Sequence, residues 1–106
     1  MTNILRIHFE NNRKVVTSPI HQWDYGQVIV FSDLVLPVGT EIDFSFEDST
    51  ESTTGYTVTN DVTIPNELLR RSGRLHVYVY VRTERSGRTL HEAVIPVLAR
   101  PEPQGR

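Results

Sequence analysis

The chain has 106 residues, room for one domain around one core. A formal net charge of −2 gives no electrostatic footprint for nucleic acid, and the absence of cysteine excludes disulfides, thiolate chemistry and thiolate zinc sites. No apolar run approaches a membrane span, and the opening MTNILRIHFE lacks the basic and apolar regions of a secretory signal.

Residues 4–9 (ILRIHF) alternate, with Leu5, Ile7 and Phe9 on one side and Arg6 and His8 on the other, which predicts a strand. Glu10-Asn11-Asn12-Arg13 is turn chemistry, Asn-Asn tolerating left-handed backbone. Lys14 to Thr17 begin a second strand that Ser18-Pro19 should stop or bend. The segment from His21 to Gly26 is a turn carrying the only tryptophan, Trp23. Gln27 to Phe31 is the next strand, and its continuous apolar run suggests burial on both faces.

Leu36-Pro37-Val38-Gly39 reads as a turn with proline at the second position. Glu41 to Glu47 places Ile42, Phe44 and Phe46 inward, and Asp43, Ser45 and Glu47 outward. A polar loop spans 48–55, then short strands at 56–58 and 62–64 flank the turn Asn60-Asp61. Pro65 opens one or two helical turns, Leu68 and Leu69 plug them into the core, and Gly73 ends them.

The longest signal comes next. In RLHVYVYVR, Leu75, Val77, Val79 and Val81 face one way and His76, Tyr78, Tyr80 and Arg82 the other. The turn at Ser86-Gly87 and the following apolar run make a hairpin. Facing Val79 with Ala93 pairs Leu75 with Val97, Val77 with Ile95 and Val81 with His91. The other face then pairs Tyr78 with Val94, Tyr80 with Glu92 and Arg82 with Leu90. A slip by one residue would place Glu92 on the aliphatic side, where an unpaired carboxylate is costly. The pattern predicts an all-β, immunoglobulin-like sandwich of seven to eight strands, with one short helical turn near 65–72. A closed barrel is the lesser alternative. The sandwich should occupy 1–99, and 100–106 (RPEPQGR) should be an extended exit whose prolines keep it out of a ladder.

Catalytic and metal chemistry find little support. His76 and His91 fall on opposite faces of the hairpin, and His8 and His21 have no ligand partner at H-x-H or H-x₃-H spacing. Ser32-Asp33 and Ser45 lack the strained G-x-S-x-G turn of a nucleophile, and Asp43, Glu47 and Asp48 lack an apolar setting that would raise a pKa. The sequence therefore predicts no enzyme activity, no metal and no cofactor. Two groups of residues suit binding instead. Trp23-Asp24-Tyr25 is an aromatic turn that could stack on a sugar, anchor a protein or cap the core. Tyr78, Tyr80 and Arg82 form an interface-like strip, or a half-buried face against the first strand or the exit.

Five motifs in order resemble one family. They are Gln22-Trp23-Asp24-Tyr25-Gly26-Gln27; Leu36-Pro37; Ile64-Pro65-Asn66-Glu67-Leu68-Leu69 with Gly73; Tyr78-Val79-Tyr80; and Ile95-Pro96-Val97 with Arg100-Pro101-Glu102-Pro103. From about Val15 to Pro103 the chain resembles the N-terminal immunoglobulin-like domain of tailed-phage head-fibre, tail and baseplate proteins. The resemblance implies a non-enzymatic role on a virion, made in the bacterial host cytoplasm, with other capsid or tail subunits as partners and self-association compatible. It implies neither nucleic acid nor membrane as a partner. The exit that begins at Arg100 would carry the chain toward a fibre or partner domain. With only Gln104-Gly105-Arg106 after Pro103, the expectation is a short decoration, adaptor or fibre-base subunit. A carbohydrate-binding module using Trp23 and Tyr25 is the alternative.

Overall fold

The computed structural model of the chain describes residues 3–10, 12–83 and 87–103, with side chains at all of these but 82, 83 and 87–89. Two sheets face each other. The small sheet has the order β1 (Asn3–Ile7), β4 (Gln27–Phe31), β7 (Asp61–Thr63), with β1 parallel and β7 antiparallel to β4. The large sheet has the order β2 (Lys14–Val16), β9 (Gly87–Leu98), β8 (Gly73–Thr83), β5 (Glu41–Phe46), β6 (Thr53–Tyr56). A further strand, β3 (Ile20–His21), resumes the parallel pairing with β9 that β2 begins. The fold is thus an all-β sandwich, with the early strands β2 and β3 parallel to the last.

Alternation builds the core. Ile42, Phe44 and Phe46, Leu75, Val77 and Val79, and Ala93, Ile95 and Val97 project from the large sheet onto Ile7, Ile29, Phe31 and Val62 of the small one. All are buried, each large aliphatic or aromatic side chain contributing about 1.5–3 kcal/mol. A 3-10 turn over Asn66–Arg70, opened by Pro65, inserts Leu69 fully and Leu68 partly. Phe9 lies beyond β1 and stacks on Phe31, with centroids 6.5 Å apart. The Asp33 carboxylate fixes that corner by accepting from the amides of Phe9 and Glu10 at 3.0 and 2.9 Å.

Several expectations need correction. Nine strands form among the described residues, because the opening stretch divides between the sheets and Pro19, lacking an N–H, separates β2 from β3. The hairpin register is shifted by two residues: Leu75 faces Ile95, Val77 faces Ala93 and Val79 faces His91, while Tyr78 faces Glu92 and Tyr80 faces Leu90. The described side chains keep their expected faces, since alternation repeats every two residues and cannot separate these registers. In the observed register Gly87 pairs with Thr83.

The stretch assigned to a polar loop contains β6, and the following strands lie at 53–56 and 61–63. Gly55 allows this because its missing side chain leaves room for the Phe44 ring and Val62. The turn after Leu36 runs one residue later, closing from the Thr40 amide to the Pro37 carbonyl at 3.2 Å, with Gly39 at φ 84° as a type II turn requires. Glu10 in the first turn is left-handed, φ 51°, and Asn11 lies outside the described residues. Gly73 opens β8, after Arg71 has already left the helical turn in an extended conformation. In β4, Gln27, Ile29 and Phe31 are buried but Val28 and Val30 only half-buried, because three short strands leave their outer face open.

Candidate functional site

The outer face of the large sheet is assembled by strand register. One row runs Val16, Val94, His76, Ser45; the next Lys14, Glu92, Tyr78, Asp43, Thr54; a third includes Leu90 and Tyr80. Val94 is fully buried here although it points away from the core between the sheets. Around it Val16 is 61% exposed and Leu90 40%. Tyr78 and Tyr80 are half-buried. The result is a broad face carrying aromatic and aliphatic surface.

Several charges on this face are held in place. Glu92 accepts from His76, lies 3.9 Å from Lys14, and so bridges two rows. Glu47 stands 3.4 Å from both His76 and Arg74, and Thr54 donates to Asp43 at 3.0 Å. The His76 ring stacks near Tyr78 at 6.1 Å. Burial, then the nearby Glu92 charge and Tyr80, push the Tyr78 phenol above its ordinary pKa. A phenol kept neutral beside fixed, paired charges suits a protein contact, where Tyr is enriched and unpaired charge is depleted.

At one end the face meets a hollow of about 450 Å³ lined by Tyr80 and Val81, the Val35–Pro37 stretch, and Gly39 to Glu41. Backbone bonds from Gly39 to Thr57 and from Thr57 to Thr40, at 2.8 and 3.0 Å, bring two exposed stretches side by side. They present Val35, Val38, Tyr56 and Val58, all largely exposed.

The second constellation lies where the chain leaves β9. Trp23 has a left-handed backbone, φ 71°, rare for a bulky side chain. Its amide donates to the Leu69 carbonyl at 2.8 Å and its indole N–H to the Arg100 carbonyl at 2.9 Å. Gln22 completes the fastening, donating to the Arg70 carbonyl at 2.8 Å and accepting from the Arg100 amide at 3.0 Å. Arg100 Nη2 lies 3.0 Å from Asp24, and Arg70 donates to the Tyr25 hydroxyl at 3.1 Å. That bond to Tyr25 is the main reason the Arg70 guanidinium holds its proton more tightly than usual.

Trp23, Asp24, Tyr25 and Arg100 thus come together, whereas Tyr78 and Tyr80 lie on the sheet face; the Arg82 side chain is outside the described residues. Trp23 is partly buried and fastens the exit instead of capping the core. The first strand belongs to the other sheet, and the exit segment is fastened at Trp23. Arg100 to Pro103 carry no strand.

Sequence reasoning missed the hollow beside Tyr80 and the role of Asp33. Burial works to raise the Asp33 pKa, but the Phe9 and Glu10 amides and His8 outweigh it and hold the carboxyl below its ordinary value. Ser32 and Asp33, which lack a nucleophile's turn, place their polar side chains against His8 and the amides of Phe9 and Glu10. Among the described residues, no three His, Asp or Glu side chains gather as a metal site would require. No protein-family model matches the chain, and no curated protein matches it either.

Proposed function

We propose that this chain is a non-enzymatic structural protein of a tailed-phage virion, acting as a capsid decoration, head-fibre base or tail adaptor. It docks on neighbouring capsid or tail subunits through the outer face of its large sheet. The observation that carries this reading is the face itself: exposed Val16 and Leu90 flank half-buried Tyr78 and Tyr80, while the charges between them are already paired. Docking there buries apolar and tyrosine surface without leaving Glu92 or His76 unpartnered. Repetition around a symmetric particle multiplies a modest affinity per copy.

The family resemblance supports the same reading. Its Trp23 and Arg100 motifs form the fastening at the exit of β9, the position from which a chain would lead to a partner. The test is sedimentation of purified protein with virions assembled from a genome lacking this chain. Wild-type protein should pellet with the particles, and Val16→Lys with Leu90→Lys should stay in the supernatant while keeping its melting temperature. Failure of the wild type to pellet would overturn the reading.

A further inference from the structure

The cleft between the Trp23 turn and the exit segment has a volume of about 410 Å³ and mixed walls. Trp23, Tyr25 and Pro103 supply flat or apolar surface, and Asn3, Asp24, Arg100 and Glu102 supply polar groups. Such a volume falls in the range of about 300–1,000 Å³ usual for small-molecule sites. The geometry points to a binding site for a neutral pyranose sugar, stacked on the aromatic wall and hydrogen-bonded by the Asp24–Arg100 pair.

Three observations select this ligand chemistry. First, the only polar atom of the Trp23 ring is occupied by the Arg100 carbonyl, so what the indole offers a ligand is its carbon surface. Tyr25 stands against it edge-on, centroids 6.4 Å apart, and is 41% exposed. The C–H face of a sugar ring fits such a wall. Second, the Asp24–Arg100 contact at 3.0 Å leaves further acceptor and donor positions on both groups, since a carboxylate has about four lone-pair sites and a guanidinium five N–H donors. A vicinal pair of hydroxyls, each both donor and acceptor, matches an acid and a base held side by side. Third, Arg100 is set against Asp24 and Glu102 adds a second carboxylate to the wall, so a phosphate finds no uncompensated cation. The left-handed Trp23 backbone, held by bonds at 2.8 and 2.9 Å, fixes the platform in advance of binding.

This site is separate from the docking face. Val94, the strand partner of Val16, precedes Arg100 by six residues, at most roughly 20 Å at the usual rise, and Leu90 precedes it by ten, so each surface can be substituted alone. Trp23 is the only tryptophan, and its fluorescence reports this cleft alone. The full chain is titrated with the methyl glycosides of glucose, galactose, mannose and N-acetylglucosamine, with inorganic phosphate and glucosamine as charged controls. Amide NMR shifts are followed in parallel.

At least one neutral glycoside should change the emission saturably and shift the amides of 23–25, Arg100 and Glu102. Asp24→Asn should weaken that binding by roughly tenfold, as loss of a charge-assisted hydrogen bond would. Tyr25→Ala should weaken it as well, and Val16→Lys with Leu90→Lys should leave it unchanged. The proposal falls if no neutral glycoside saturates, if only phosphate or glucosamine binds, if the shifts lie elsewhere, or if folded Asp24→Asn binds as the wild type does.

Discussion

Replacing Trp23 by phenylalanine keeps an aromatic ring beside Tyr25 but deletes the N–H that donates to the Arg100 carbonyl over 2.9 Å. A net intramolecular hydrogen bond is worth about 0.5–1.5 kcal/mol. Arg100 is only partly buried, so water reaches the abandoned carbonyl and the larger penalty for an orphaned buried group does not apply. The expected loss is therefore about 1 kcal/mol, which for a domain of this size lowers the melting temperature by about 4 °C. The change should also be local. A non-glycine residue at a left-handed φ carries roughly 1–2 kcal/mol of strain. At Trp23 that strain is opposed by the Leu69 and Arg100 bonds and the neighbouring Gln22 clamp. Thermal melts by circular dichroism give the global term, and hydrogen exchange at the Arg100 amide gives the local one. Gln22→Ala combined with Trp23→Phe should deviate from additivity, because both side chains hold Arg100. An unchanged melting temperature, unchanged exchange at Arg100 and strictly additive effects would refute the fastening.

Three further outcomes follow from particular contacts. Asp33 has a depressed folded pKa, so its contribution is present above the unfolded value of about 3.9 and is lost as pH falls through the lower folded one. In urea melts across pH, wild type and Asp33→Asn should differ near neutrality and converge in acid. Gly55→Ala would place a Cβ 3.1 Å from Val62 and 3.2 Å from Phe44, and overpacking should cost about 1–3 kcal/mol in denaturant titration. Tyr78 has a raised folded pKa, so its stabilisation is complete below the unfolded value near 10 and is lost as pH rises through the folded one. In a spectrophotometric titration of the four tyrosines, Tyr78→Phe should remove a late-ionising one.

Legibility in the sequence depended on whether a residue's job is local. The alternation of Ile42, Phe44 and Phe46 and of Leu75, Val77 and Val79 sorts inner from outer faces unaided, because a strand has only two. Which of two registers the hairpin takes is invisible to that pattern, because both keep the same faces. β6 was hidden because Thr53-Thr54-Gly55 has loop-like composition; its place depends on the Phe44 ring lying over Gly55, a contact between distant segments. Trp23 could be singled out as the lone tryptophan, but its φ of 71° and its bond across 77 residues to Arg100 could not. The tyrosine strip was legible as an amphipathic face, while its neighbours Val16 and Leu90 depend on strand order, which short-range periodicity does not encode.

Photo-cross-linking within assembled virions tests the docking face most directly. A photoreactive residue at Val16 or Leu90 should capture another capsid or tail protein, and the same residue at Ile4, exposed on the small sheet, should not. Capture from Ile4 alone, or absence of the chain from purified virions, would contradict docking through the large sheet.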